Sequence, residues 1–157
     1  MASKLPVPYF KQNRDFTCGP ACLRMVLEYF GVEQDEVTLA ILCGTNLAGT
    51  GLAEIAEAAQ RLGLEADWKI NASLQDIKDA LKKNIPVMAM IDARVLHHTD
   101  APFVLGHAVV IVAYLKSEIY FHDPLIGEDQ RASVSVFSGA WTNMRKGMVI
   151  VWKPKKT

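Results

Sequence analysis

QNRDFTCGPACLRMVLEYFG, residues 12–31, joins a polar loop to an apolar helix and sets a cysteine followed by Gly-Pro at the junction. From Cys18 to Phe30 the spacing predicts a helix, stopped by Gly31 just past its end. Ala21, Cys22, Leu23, Met25, Val26, Leu27, Tyr29 and Phe30 cover most of its circumference, and only Arg24 and Glu28 are charged. A helix that is apolar nearly all round belongs in the interior, so its start is expected inside the fold, beside a cleft. Two readings of Cys18 follow. Either it is a small hydrophobe filling a helix start, or it is a thiol placed to react. A helix N-terminus carries roughly half a positive charge and favours thiolate. Gly19 would let a substrate backbone approach, and Pro20 in the first turn needs no N–H.

Downstream, helices are expected over Asp35–Leu42, Leu52–Leu62 and Ser73–Lys83, with Ser73 and Asp76 spaced as a capping box. LEADWKI (64–70) reads as a short strand. After Pro86 the pattern turns to strands: VMAMI (87–91), GHAVVIVAY (106–114), EIYFHDP (118–124) and GMVIVWK (147–153). A short polar stretch and a helical turn at VSVFSGAWT (134–142) lie between the last two. Helices first and strands second is the segregated α+β arrangement, with one core and one domain spanning 1–157.

The chain has 157 residues, half of them hydrophobic, with 17 basic and 17 acidic side chains. That balance supplies no basic footprint for nucleic acid and no polybasic patch for a membrane surface. No run approaches the ~18 apolar residues of a membrane span. Three cysteines (Cys18, Cys22, Cys43) cannot all pair within one chain, and the N-terminus lacks the apolar run of a secretory signal. Reduced thiols and a cytoplasmic location are the expectation. No structural zinc or other cofactor is expected, because CGPAC lacks C-x-x-C spacing and no second cysteine cluster exists. Cys22 reads as a core thiol and Cys43 as a filler at a helix end.

A thiolate nucleophile needs a base, and the base needs an orienting group. Of the four histidines, His97 and His98 sit in a polar loop where exposure is the plain reading; His98 with Asp100 is a weak metal pair. His107 stands at the mouth of an apolar strand, where a polar ring needs a task or a partner. His122 falls on the face of Tyr120, opposite Asp123. Asp123 precedes Pro124, so it is either a turn residue or a carboxylate at a strand end that holds an imidazole. Gln12, six residues before Cys18, is either solvated or a donor to an oxyanion.

Gln12, Cys-Gly-Pro at 18–20, His107 in GHAVVIV and Asp123 in HDP occur in the order of the papain-like cysteine peptidases. The chain most resembles family thirty-nine of these, the bacteriocin-processing or double-glycine-leader peptidases. The match extends through EYFG (28–31) and GTGLAEIAEAAQRLGLEA (49–66). The resemblance implies a papain-like fold, its buried central helix and N-terminal helical half packed on a C-terminal antiparallel sheet. It also implies a thiol peptidase that forms an acyl-enzyme thioester: Cys18 as nucleophile, His107 as base and acid, and Asp123 as orienter. Gln12 and the Cys18 N–H would form the oxyanion hole. Thr17 replaces the aspartate that many members carry before the cysteine. With no P-loop or membrane span, a free-standing domain acting on a peptide or protein is expected rather than an exporter segment. An acyl or amide transferase using the same triad and a non-cutting peptide-binding module are the alternatives. Trp141 and the loop 94–105 are candidate pocket and flap elements, and nothing in the sequence specifies an oligomeric state.

Overall fold

The computed structural model describes residues 3–97 and 106–155. Its centre is a six-stranded antiparallel sheet in the order β1-β6-β2-β3-β4-β5. The strands are β1 (Glu65–Lys69), β2 (Val87–Ile91), β3 (His107–Leu115), β4 (Glu118–Asp123), β5 (Gly127–Ser133) and β6 (Met148–Trp152). The helices are α1 (Cys18–Tyr29), α2 (Glu36–Leu42), α3 (Leu52–Arg61), α4 (Leu74–Lys82), α5 (Ala93–Leu96) and α6 (Val134–Thr142).

Alternation along the strands separates two cores. Met88, Ala108, Val110, Val112, Val149 and Val151 face α1 and α3, where Leu23, Val26, Leu27, Ile55 and Ala59 are buried. Val87, Ala89, Ile91, Val109, Ile111 and Phe121 face the other way, onto Ile77 of α4, Leu96 of α5, and Phe137 and Trp141 of α6. The expected helical half therefore stands on one sheet face only; α4 to α6 cover the opposite one. Central strands apolar on both faces require cover on both. As expected, α1 is the interior helix, with every residue from Cys18 to Leu27 except Arg24 buried. The Arg24 guanidinium lies 3.9 Å from the Phe10 ring centre, which lets a cation share an apolar setting.

Local chemistry sets the boundaries. Asp35 caps α2 by accepting from the Thr38 N–H at 2.7 Å, and Ser73 with Asp76 forms the expected capping box of α4. Two segments differ from the sequence reading. The polar stretch GEDQRAS is β5, an edge strand whose charges face solvent and discourage further pairing. VSVFSGAWT is a nine-residue helix with Ser133 as its cap, accepting from Val136 N–H at 3.1 Å.

Truncating Leu23 to alanine removes a fully buried side chain between α1 and the sheet. It should lower the unfolding free energy by about 2–5 kcal/mol in urea titration. Ser73→Ala, at an exposed cap far from the cysteine in sequence, should cost only about 1 kcal/mol.

Candidate active site

The loop before α1 is tied down at three points. The Gln12 N–H donates to the Pro124 carbonyl at 2.8 Å. The Asn13 N–H is shared by both carboxylate oxygens of buried Glu36, at 3.1 and 3.0 Å. Thr17 Oγ1 accepts from the Arg14 N–H and donates to the Arg14 carbonyl, each at 3.0 Å. Because the Thr17 hydroxyl is occupied there, α1 starts without a side-chain cap, and of its first N–H groups that of Gly19 acts on the Cys18 thiol. Glu36 carries no motif of its own in the sequence; only its position in the first turn of α2, where acids are favoured, singles it out.

Cys18, His107 and Asp123 come together where α1 and β3 begin and β4 ends. His107 stands beside the Cys18 thiol, close enough that each shifts the other's titration, while its Nε2 lies 2.7 Å from Asp123 Oδ1. Two backbone N–H groups, of Leu125 at 2.9 Å and Ile126 at 3.2 Å, also donate to that oxygen, so Asp123 is at once the turn residue and the imidazole's partner. The other oxygen, Oδ2, meets His97 Nε2 at 2.7 Å. The sequence reading of His97 as an exposed loop residue is thus corrected: its side chain is only 18% exposed and sits on Asp123. The cause is α5, a single turn capped by Asp92, that follows β2 and turns the chain back onto the site. His98, Asp100 and residues 98–105 of the expected flap lie outside the described residues.

The neighbouring groups also have definite places. His122 Nδ1 accepts from the Asp129 N–H at 3.1 Å, which fixes its proton on Nε2 for donation to the Val7 carbonyl at 2.8 Å. The Tyr9 hydroxyl donates to the Asp123 carbonyl at 2.8 Å. Both clamp the lead-in segment onto β4. Gln12 is buried; its Nε2 donates to the Arg14 carbonyl at 2.7 Å and keeps one further N–H. Its Oε1 has no partner among the described residues. A cleft of ≈ 210 Å3 opens beside these groups, lined by Gln12, Cys18 and His107 together with Phe16, Met90 and Met144.

Two glycines have specific reasons. A Cβ on Gly19 would stand 3.1 Å from Thr50 Cβ and 3.4 Å from Ile55 Cδ1. Glycine there is required for packing against the loop before α3, and it also lines the cleft beside Cys18. Gly106 has φ +104°, and its missing Cβ would lie 2.9 Å from the end of Met144; it brings the chain into His107 through a conformation other residues resist. Trp141 is fully buried in the α6 core, with its indole N–H donating to the Gly147 carbonyl at 2.9 Å. It lines no substrate pocket. Cys22 and Cys43 are buried free thiols. Burial raises both, Cys22 far up and Cys43 to about 11. Among the described residues no cluster of three or more acids, histidines and cysteines is arranged to hold a metal ion.

Burial works against every charge in the cysteine site, and hydrogen bonding overcomes it. Burial pushes the Cys18 thiol up, but the bond and charge of His107, with N–H groups of Ala108 and Gly19, bring it below its ordinary 9.0. Burial would lower His107; bonds to Asp123 and Cys18 raise it from 6.5 to about 9. Burial would raise Asp123, yet the bonds from His107 and His97 hold it well below the usual carboxylate range. A thiolate–imidazolium pair is therefore the favoured state from the lowered thiol pKa up to about pH 9.

The rate of Cys18 alkylation by iodoacetamide should accordingly rise with a midpoint below pH 9.0. In His107→Ala the upward push of burial is left opposed only by backbone N–H groups, so the midpoint should move above 9.0. Peptide mass mapping separates Cys18 from the two inner thiols.

Comparison with known proteins places this geometry. The chain is 30% identical over 145 residues, 92% of its length, to the lactococcin-G-processing and transport ATP-binding protein LagD of Lactococcus lactis subsp. lactis, and spans 18% of that relative. A crystal structure described as a C39-like peptidase from Bacillus anthracis superimposes with TM-score 0.81 at 20% identity, covering 98% of this chain and 100% of the other. A double glycine motif protease from an AMS/PCAT transporter, solved with its leader peptide, gives 0.75 at 23% identity, covering 97% and 95%. These structural likenesses bear out the papain-like α+β fold. A family model matches residues 4–149, and the chain belongs to the Peptidase_C39 like family.

Proposed function

We propose that this protein is a cysteine peptidase that cleaves a peptide amide bond through an acyl-enzyme thioester. The observation that carries the reading is the Cys18 thiol beside His107 at the wall of one cleft, with His107 Nε2 held at 2.7 Å by Asp123 Oδ1. Family membership supports the same chemistry. Cys18 Sγ, as thiolate, attacks the scissile carbonyl carbon. The electron pair moves to the carbonyl oxygen, where the free N–H of Gln12 and the Cys18 backbone N–H are the candidate donors. Imidazolium His107 then gives its proton to the leaving amine, and the C–N bond breaks to leave a thioester. Water enters, His107 takes its proton, and the acyl group departs as a carboxylic acid with thiolate restored. Asp123 keeps the imidazole oriented and its charge compensated throughout.

The substrate is a peptide or protein, in keeping with a structural neighbour crystallised with a leader peptide. Residues 1–157 form one peptidase domain in this reading, of which the family model matches 4–149, and a cytoplasmic site of action suits three free thiols. Among the described residues no helix is long and apolar enough to cross a membrane.

The test is cleavage of a proteome-derived peptide library, with new N-termini identified by mass spectrometry. Cleavage by the wild type but not by Cys18→Ala is expected, and Asp123→Asn should lower kcat/KM by about a hundredfold or more. Gln12→Ala should lower kcat by about 10²–10³ with little change in KM, because the donor acts on charge that appears in the transition state. A wild type no better than Cys18→Ala would leave the fold as a peptide-binding module.

A further inference from the structure

Asp123 is fully buried, and its two oxygens are used unequally. Oδ1 receives three donors: His107 Nε2 at 2.7 Å and the N–H groups of Leu125 and Ile126 at 2.9 and 3.2 Å. Oδ2 receives His97 Nε2, also at 2.7 Å, and no other donor among the described residues. An ionised oxygen without solvent or donor is costly. Deprived of His97, the carboxylate lowers that cost by admitting water or by turning Oδ2 toward donors that now serve Oδ1. Either response disturbs the short bond on which the orientation of His107 depends.

The placement of His97 is built rather than incidental. Asp92 is buried at the end of β2, and its N–H donates to the Ala140 carbonyl of α6 at 2.9 Å. Its side chain caps α5 through the Arg94 N–H at 3.0 Å and takes the Asn143 amide at 3.2 Å. The single turn of α5 is closed by His97 N–H donating to the Ala93 carbonyl at 2.9 Å. Thus α6 holds Asp92, Asp92 holds α5, and α5 delivers a second imidazole to the carboxylate.

We infer that His97 is a positioning residue of the site: its Nε2–H fixes Oδ2 of Asp123, so that Oδ1 stays aligned with His107 and the Cys18–His107 pair stays formed. The inference rests on the peptidase reading for its consequence but can be measured without a substrate. His97 is not among the residues that line the cleft; it acts through Asp123.

The experiment compares wild type, His107→Ala, His97→Ala and His97→Gln for the rate of Cys18 alkylation by iodoacetamide at pH 7, alongside Tm. Loss of the Oδ2 donor should slow His97→Ala by about three- to tenfold, a fraction of the full worth of a hydrogen bond to a charged group because the effect reaches the thiol only through Asp123 and His107. His97→Gln, whose side-chain amide can donate to the same oxygen, should recover most of the wild-type rate. Should the alanine variant melt below assay temperature, His97→Leu takes its place, keeping bulk without a donor. A His97→Ala rate equal to wild type overturns the inference, and so does an equal loss in the alanine and glutamine variants, which would trace the effect to ring volume. A wild-type rate indifferent to His107→Ala is a different failure, that of the activated thiol itself, and overturns both readings.

Discussion

A carboxylate with no solvent contact must be met by donors on every side, and around Asp123 that requirement organises the surrounding structure. Its oxygens draw in His107 from β3, His97 from the turn after β2, and two backbone N–H groups from its own turn. Its carbonyl takes the Tyr9 hydroxyl, and the next carbonyl, of Pro124, takes the Gln12 N–H. The buried charge and the carbonyls of its own turn therefore tie the lead-in segment, the loop before α1 and two strands to a single point. Taking such a charge out of water is offset only when the pairing is this complete.

The electrostatics of the thiol follow from that anchor. Burial alone would keep Cys18 protonated and His107 neutral, and the site would be an inert core pair. The Asp123 charge favours imidazolium, imidazolium favours thiolate, and backbone N–H groups of Gly19 in α1 and Ala108 in β3 add to it. Thr17 has a local role in this scheme. Its hydroxyl closes the Arg14–Thr17 turn instead of capping α1. Cys22, one turn further along the same helix, has burial but none of these partners, and its thiol moves the opposite way.

How much of this was legible in the sequence depended on the range of the interaction. The bounds of α2 and α4 could be read because Asp35 and Ser73 cap them within three residues. The burial of α1 could be read from its own circumference. The strand β5 could not, since GEDQRAS has the composition of a loop and is a strand only because β4 offers it an edge. Trp141 reads as a pocket residue only if α6 is taken for a surface turn; its place in the far core depends on β2 being covered on both faces. Cys18, His107, Asp123 and Gln12 could be singled out by spacing and by family pattern, and they do converge. His97 was missed because no local pattern marks it: its partner lies 26 residues away and is reached only through α5. A further constraint on Gly19 could not be read locally, since it is Thr50 from another loop.

The central claim is that His107 is held as imidazolium by Asp123 beside the Cys18 thiolate. The most direct measurement is a pH titration of the His107 ring nitrogens by NMR in the ¹⁵N-labelled protein. The account predicts both nitrogens protonated at pH 7, with deprotonation near pH 9. A neutral ring at pH 7, titrating around the ordinary histidine value of 6.5, would contradict it.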